Sequence, residues 1–198
     1  MAASLDELAR GYRWVNDIEA VTVAAIRGHT VDEVVRCYGG DPAAPVGEYT
    51  FAEVGALGFD PERPEFRVQV SVRGEHVVAL EHDGFLGNLP EVARRCSASG
   101  GASFSVYWNV EAYGMLTQAA DGEITARFES LHPLLPAAHP HEVRPAWALG
   151  EPVGPDEAWA TCFALMERQG GLAFEPGWLD EPGAVYRIPD PHRPSGGH

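Results

Sequence analysis

The chain has no lysine. All 14 of its basic residues are arginine, set against 29 carboxylic side chains in 198 residues, for a formal net charge of -15. Such a balance repels phosphate backbones, and Arg94-Arg95 is the single adjacent basic pair, so no nucleic-acid partner is expected. A basic protein surface or a metal ion would be drawn to it instead, although negative charge also serves plain solubility. Cysteine is scarce as well. Cys37, Cys96 and Cys162 lie far apart, form no CxxC pair and each fall within an amphipathic segment, which reads as buried free thiols in a reducing compartment. No apolar run approaches the ~20 residues that a bilayer requires, and the start lacks a charged-apolar-small signal, so a cytoplasmic protein with no membrane contact is expected. Catalytic signatures are missing too. There is no GxSxG elbow, P-loop, HExxH or GxGxxG after a strand, and Ser97-Ala98-Ser99 closes a helix rather than following a strand. No cofactor is expected.

What is present is a strong strand pattern. From Ser103 to Glu129, Phe104, Val106, Trp108 and Val110 alternate with Ser105, Tyr107, Asn109 and Glu111. This is the period of a sheet with one buried face. Asp121-Gly122 between alternating runs predicts a two-residue hairpin turn with both residues at positive φ. That turn sets Ala119 opposite Ile124, Thr117 opposite Ala126 and Met115 opposite Phe128. Trp108 and Met115 differ in parity, which places a bulge or kink at Gly114. Phe66, Val68, Val70 and Val72 form the clearest single strand, and His76 to His82 is its partner across a turn at Gly74. A three-residue loop with left-handed Gly74 leaves Glu81 pointing away from the apolar face, whereas a two-residue turn at Gly74-Glu75 buries it beside Val68. The first is favoured, because a buried carboxylate without a partner costs several kcal/mol. The second would make Glu81 the foremost functional candidate.

Helices are marked by capping boxes at Ser4–Glu7, Thr30–Glu33 and Thr50–Glu53 and by Pro90 after Asn88-Leu89. A last helix from Pro155 to Arg168 presents Trp159, Cys162, Phe163 and Met166 at i, i+3, i+4 and i+7, a stripe expected to cover Phe104 and Trp108. Glu33-Val34-Val35-Arg36-Cys37 faintly echoes Glu91-Val92-Ala93-Arg94-Arg95-Cys96, through an old duplication or through chance. Residues 131–155, rich in Pro, Ala and His, form a long connector that is either an ordered surface loop or a functional lid. Residues 1–188 are read as one α+β domain, with a mainly antiparallel sheet of five or six strands and helices packed mostly on one face. Residues 189–198 are read as a flexible tail.

The candidate site follows from this one-sided sheet. If helices cover only the Trp108 face, the opposite face exposes Tyr107, Asn109, Glu111, Arg127 and Glu129, a set suited to protein recognition. Glu81 is the further binding candidate, on the apolar face if the Gly74 turn is short. His132, His139 and His141 in the connector, and His76 and His82 on one strand face at a sheet edge, lack the ligand spacing of a zinc site, so no metal is expected.

Over most of its length the chain resembles an uncharacterised bacterial family common in actinomycetes, a domain of unknown function. The resemblance rests on Tyr12-x-Trp14, the strand–helix from Val21 to Gly39, Leu80-Glu81-x-x-Gly84-Phe85-x-Gly87, Ser105-Val106-Tyr107-Trp108-Asn109-Val110, Phe128-Glu129 and Trp178-Leu179. It implies a shared fold and brings no activity with it. The functional expectation is a non-enzymatic interaction protein whose acidic surface meets a basic protein, as an immunity-type or regulatory partner. The alternative is a small-molecule binder or hydrolase with a pocket between the sheet and the 131–155 connector, using Glu81, Asn109 and one connector histidine. A self-associating scaffold is a third reading, and the oligomeric state stays open.

Overall fold

The computed structural model describes residues 3–57, 65–129, 142–148 and 157–191. Within them eight strands form one sheet: β1 (Val21–Arg27), β2 (Pro45–Tyr49), β3 (Glu65–Arg73), β4 (His76–His82), β5 (Ala102–Trp108), β6 (Gly114–Ala120), β7 (Glu123–Glu129) and β8 (Gly183–Pro189). Their order is β2-β8-β3-β4-β1-β5-β6-β7, and every neighbouring pair is antiparallel. The sheet is therefore larger than the five or six strands expected. The two additional strands are β2 and β8, which hide their character behind Pro and Gly. β2 is an edge strand irregular between Pro45 and Gly47, a position where proline costs no ladder bond. β8 buries the adjacent Val185 and Tyr186 as well as Ile188, so it shows no clean alternation.

Among the described residues five α-helices accompany the sheet: α1 (Leu5–Gly11), α2 (Val31–Tyr38), α3 (Phe51–Ala56), α4 (Pro90–Arg95) and α5 (Ala158–Leu165). The three expected capping boxes form, with Ser4, Thr30 and Thr50 each accepting from the backbone N–H three residues on. The helices do not gather on one face. β1 and β4 are buried over six consecutive residues each, so both sides of the sheet centre must be covered, as in strands whose apolar residues run without alternation. Val21, Val23, Val78, Leu80, Phe104, Val106 and Trp108 pack with residues of α3 and α5 on one side. Ala24, Ile26, Val68, Val70, Val77 and Ala79 pack with Val34, Val35 and Tyr38 of α2 and Val92 of α4 on the other.

The expected stripe on the last helix does cover Trp108. Trp159 stacks on it at 5.0 Å and Phe163 meets it edge-on at 5.8 Å. Yet seven of the eight α5 residues are buried, because α1 lies against the side turned away from the sheet. Such a helix is apolar all round rather than amphipathic. It continues into one π turn, Met166–Gly170, and closes at Gly171 with φ 78°.

Two register expectations change. Arg73 pairs directly with His76, so the β3–β4 turn has only Gly74 and Glu75, with Gly74 at φ 59°. Glu81 accordingly faces inward, on the α2 side. Its burial is tolerated because the chain itself supplies two backbone donors to the carboxyl. At the β6–β7 hairpin Asp121 and Gly122 take φ of 50° and 81° as expected, and Ala119 does face Ile124. A bulge between Gln118 and Ala119 then shifts the rest, so that Thr117 meets Arg127, and Met115 meets Glu129. No reset occurs at Gly114, which pairs with Trp108 in regular register. Met115 shares the Tyr107 face, and Leu116 is the residue buried with Trp108.

Candidate functional site

Three features meet at one end of the sheet, where β1 begins, β4 ends and β5 turns into β6. The first is Glu81, which is 0% exposed. Its two carboxyl oxygens accept from the backbone N–H of Leu86 at 2.9 Å and of Gly87 at 2.7 Å, while Thr22 Oγ1 donates to the Gly84 carbonyl at 2.6 Å. A Cβ at Gly84 would run into Glu81, and one at Gly87 into the Tyr38 hydroxyl. The spacing Glu81-x-x-Gly84-x-x-Gly87 is thus a carboxylate gripped by the turn that follows it. Burial pushes Glu81 up to about 7, against the pull of its two N–H donors. The Tyr38 hydroxyl is buried beside it without a hydrogen-bond partner, and burial together with the Glu81 charge holds that phenol well above its usual range. With no exposure, Glu81 anchors the turn that follows it at this end of the sheet.

The second feature lies on the α4 side. Arg127 Nη1 donates to the Asn88 carbonyl at 2.7 Å, to Thr117 Oγ1 at 2.8 Å and to Asn88 Oδ1 at 3.4 Å. Asn88 is itself fixed through Nδ2 to the Met115 carbonyl at 2.9 Å and Ser105 Oγ at 3.2 Å. Phe85, Leu89, Tyr107, Tyr113 and Met115 complete a pocket of about 220 Å³ around the guanidinium. Asn109, expected to face a partner, instead builds the β5–β6 turn, its Oδ1 accepting from the N–H groups of Glu111 and Tyr113, both at 3.1 Å. It also bonds the Tyr107 hydroxyl.

The third feature is a cleft of about 440 Å³ on the α5 side. It is lined by the apolar Ile18, Ala20, Phe51 and Leu179, by the exposed Ala52 and Val110, and by the carboxylates Asp17, Glu19, Asp83 and Asp180. His82 stands at the edge with its ring against Phe51 at 5.0 Å. Among the described residues none of the four carboxylates is in an ion pair.

Of the six residues named from the sequence, Tyr107 and Arg127 share the pocket, and Asn109 adjoins it. Glu81 is sealed beneath. Glu111 sits exposed on the turn, and Glu129 stands across from Met115, its N–H bound to Glu142. The strand ends at Trp108, so no continuous Tyr107–Glu111 face exists, and α4 covers much of what was expected to be open. The acidic cleft was missed because five separate segments contribute to it; only the net charge pointed that way. His76 is not at a sheet edge, since β4 lies inside the sheet, and its Nε2 is 2.9 Å from the Gly170 carbonyl. His132, His139 and His141, with most of the connector, lie outside the described residues, as does the tail after Pro191. In the part that is described, Val143 pairs through its backbone with Arg127. Among the described residues no cluster of three or more potential ligands could hold a metal ion, and no helix is long and apolar enough to cross a membrane. The cysteines are free. Cys96 and Cys162 are buried, while Cys37 is half-buried.

The fold and this end of the sheet define an α+β protein built on a single antiparallel sheet with small polar recesses at one rim. The chain belongs to a family of unknown function, DUF6461, whose pattern matches residues 6–186. No curated protein and no solved structure matches it.

Proposed function

We propose that this is a non-enzymatic cytoplasmic binding protein that engages a basic protein partner through the acidic cleft, as an inhibitor or regulator of that partner. The observation that carries the reading is the cleft's composition: four carboxylates, none in an ion pair among the described residues, beside apolar side chains. An arginine or lysine side chain has the complementary form, an apolar stem with a cationic head. The net charge of -15 would steer a basic partner toward it and speed encounter. Glu81, the one carboxyl with a strongly raised titration point among the described residues, is sealed from solvent, which argues against acid–base catalysis at this rim.

The test is a pull-down from native lysate with immobilised protein at low and at high salt. A basic partner is expected to be retained at low ionic strength and released at about 0.5 M salt, where the screening length falls to a few ångström. The triple variant Glu19→Gln, Asp83→Asn, Asp180→Asn should fail to retain it. Equal recovery by wild type and variant, or nothing above background at low salt, overturns the proposal.

A further inference from the structure

The Arg127 pocket faces the opposite side of the sheet from the acidic cleft and is independent of any partner bound there. Its guanidinium is half-buried, and burial disfavours its charge. The three acceptors on Nη1 are a carbonyl, a hydroxyl and an amide oxygen, all neutral. Among the described residues no carboxylate comes within ion-pair distance of it. Nε and Nη2 form no hydrogen bond there, and neither is among the buried unpartnered atoms. A half-buried cation whose bonds are all neutral gains most from an anion. The fork geometry of the free N–H groups matches a carboxylate.

The walls specify the rest of the ligand. Tyr107 and Tyr113 meet edge-to-face at 6.3 Å, and Phe85, Leu89 and Met115 supply the remaining apolar surface. At about 220 Å³ the pocket is smaller than the ~300–1,000 Å³ of sites for drug-sized ligands, which limits the body to about one ring. One guanidinium fork takes one carboxylate, and the surrounding charge is mixed, with Glu91 and Arg94 both acting on Arg127 and Asp83 on Tyr107. We propose that this pocket binds a small aromatic monocarboxylate, its carboxylate on Arg127 and its ring between Tyr113, Phe85 and Leu89.

Benzoate is the probe, benzamide the uncharged control of equal shape and inorganic phosphate the control for a bare anion. All three are titrated against the full chain by calorimetry and by amide NMR. Benzoate should saturate and move the signals of Asn88, Tyr113 and Arg127, with an affinity at least about tenfold above benzamide. Phosphate should not compete at equal concentration. Arg127→Lys keeps the charge but loses the fork and should weaken benzoate about tenfold. Because Arg127 also holds Asn88, that variant could fail to fold. Tyr113→Ala, on an exposed turn, provides the independent arm and should weaken benzoate severalfold without lowering the melting temperature. Equal binding of benzoate and benzamide, displacement by phosphate, no saturation at about 20 mM benzoate, or unchanged affinity in Tyr113→Ala overturns the assignment.

Discussion

The two sides of the sheet are built from different materials. Under α5 the layer is aromatic. Trp108, Trp159, Phe163, Phe174 and Trp14 touch one another at ring distances of 5.0 to 6.3 Å, and the polar atoms among them are individually served. Trp108 Nε1 donates to the Ile18 carbonyl at 2.9 Å, and the Tyr12 hydroxyl donates to Glu167 at 2.6 Å. Under α2 and α4 the layer is mainly aliphatic, with Tyr38 and Tyr186 as its buried rings, and it buries Glu81, Thr22, Ser103, Ser105, Thr117 and Asn88. The aromatic side buries fewer polar side chains, Gln69, His76 and Thr161. The polar side fixes one turn, Asp83 to Asn88, and through Asn88 it fixes Arg127. One face therefore holds the fold, and the other positions the rim where both recesses open.

Substitutions can break this contrast. The largest effect is expected for Phe163→Ala, at the centre of the aromatic side with 0% exposure. A loss of about 3–5 kcal/mol is expected from urea unfolding. Gly87→Ala tests the polar side. Its new methyl would strike the Tyr38 hydroxyl and press on Glu81, and about 1–3 kcal/mol should be lost through overpacking. A neutral Gly87→Ala would mean that the turn is not gripped as described.

Glu81→Gln sharpens the comparison through pH. The folded protein holds the Glu81 proton up to about pH 7, and the unfolded chain only to about 4.5. The folded value is the raised one, so this contribution to stability is complete below pH 4.5 and is lost as pH rises through 7. The gap corresponds to on the order of 3 kcal/mol. The substituted amide cannot titrate, and its nitrogen turns a donor toward one of the two backbone N–H groups. The variant should therefore be less stable than wild type at about pH 5 and lose most of that deficit by about pH 8. A deficit that is the same at both pH values would contradict a buried, titrating carboxyl.

How much of this is readable in the sequence follows the same division. The aromatic side announces itself, since Trp108 and the Trp159–Met166 stripe are spaced for burial and the Asp121-Gly122 turn has its required residues. The polar side does not. Alternation in β3 suggests a sheet with one wet face, but β1 and β4, apolar in both phases, already require two covered faces. Whether Glu81 is buried turns on one residue of loop length at Gly74. Desolvation alone favours the longer turn, because the N–H donors five and six residues downstream carry no mark in the sequence. The motif containing Gly84 and Gly87 is visible, although its purpose becomes plain only when the missing side chains are set against Glu81. Tyr107 and Arg127, named together from the strand pattern, do line one pocket. The cleft between Asp17 and Asp180 spans most of the chain and has no local signature.

The smallest expected effect concerns reactivity rather than stability, and it tests whether the polar side extends to the far ends of α2 and α4. The half-buried Cys37 thiol is drawn down to about 7, first by a hydrogen bond from Cys96 and then by the charge of Arg95, against burial and Glu33. Arg95 Nε also donates to the Cys37 carbonyl at 2.6 Å, so the cation is held in place. The thiolate is the nucleophile. Alkylation of the folded protein by iodoacetamide should therefore modify Cys37 first, with a half-maximal rate near pH 7, while the buried Cys96 and Cys162 stay protected. Cys96→Ala removes the donor and should move the Cys37 midpoint upward, toward the ordinary thiol range of roughly 8.5. Mass spectrometry of the alkylated peptides across about pH 6 to 9 reads both outcomes, and a midpoint that does not move would show that Arg95 alone sets the Cys37 environment.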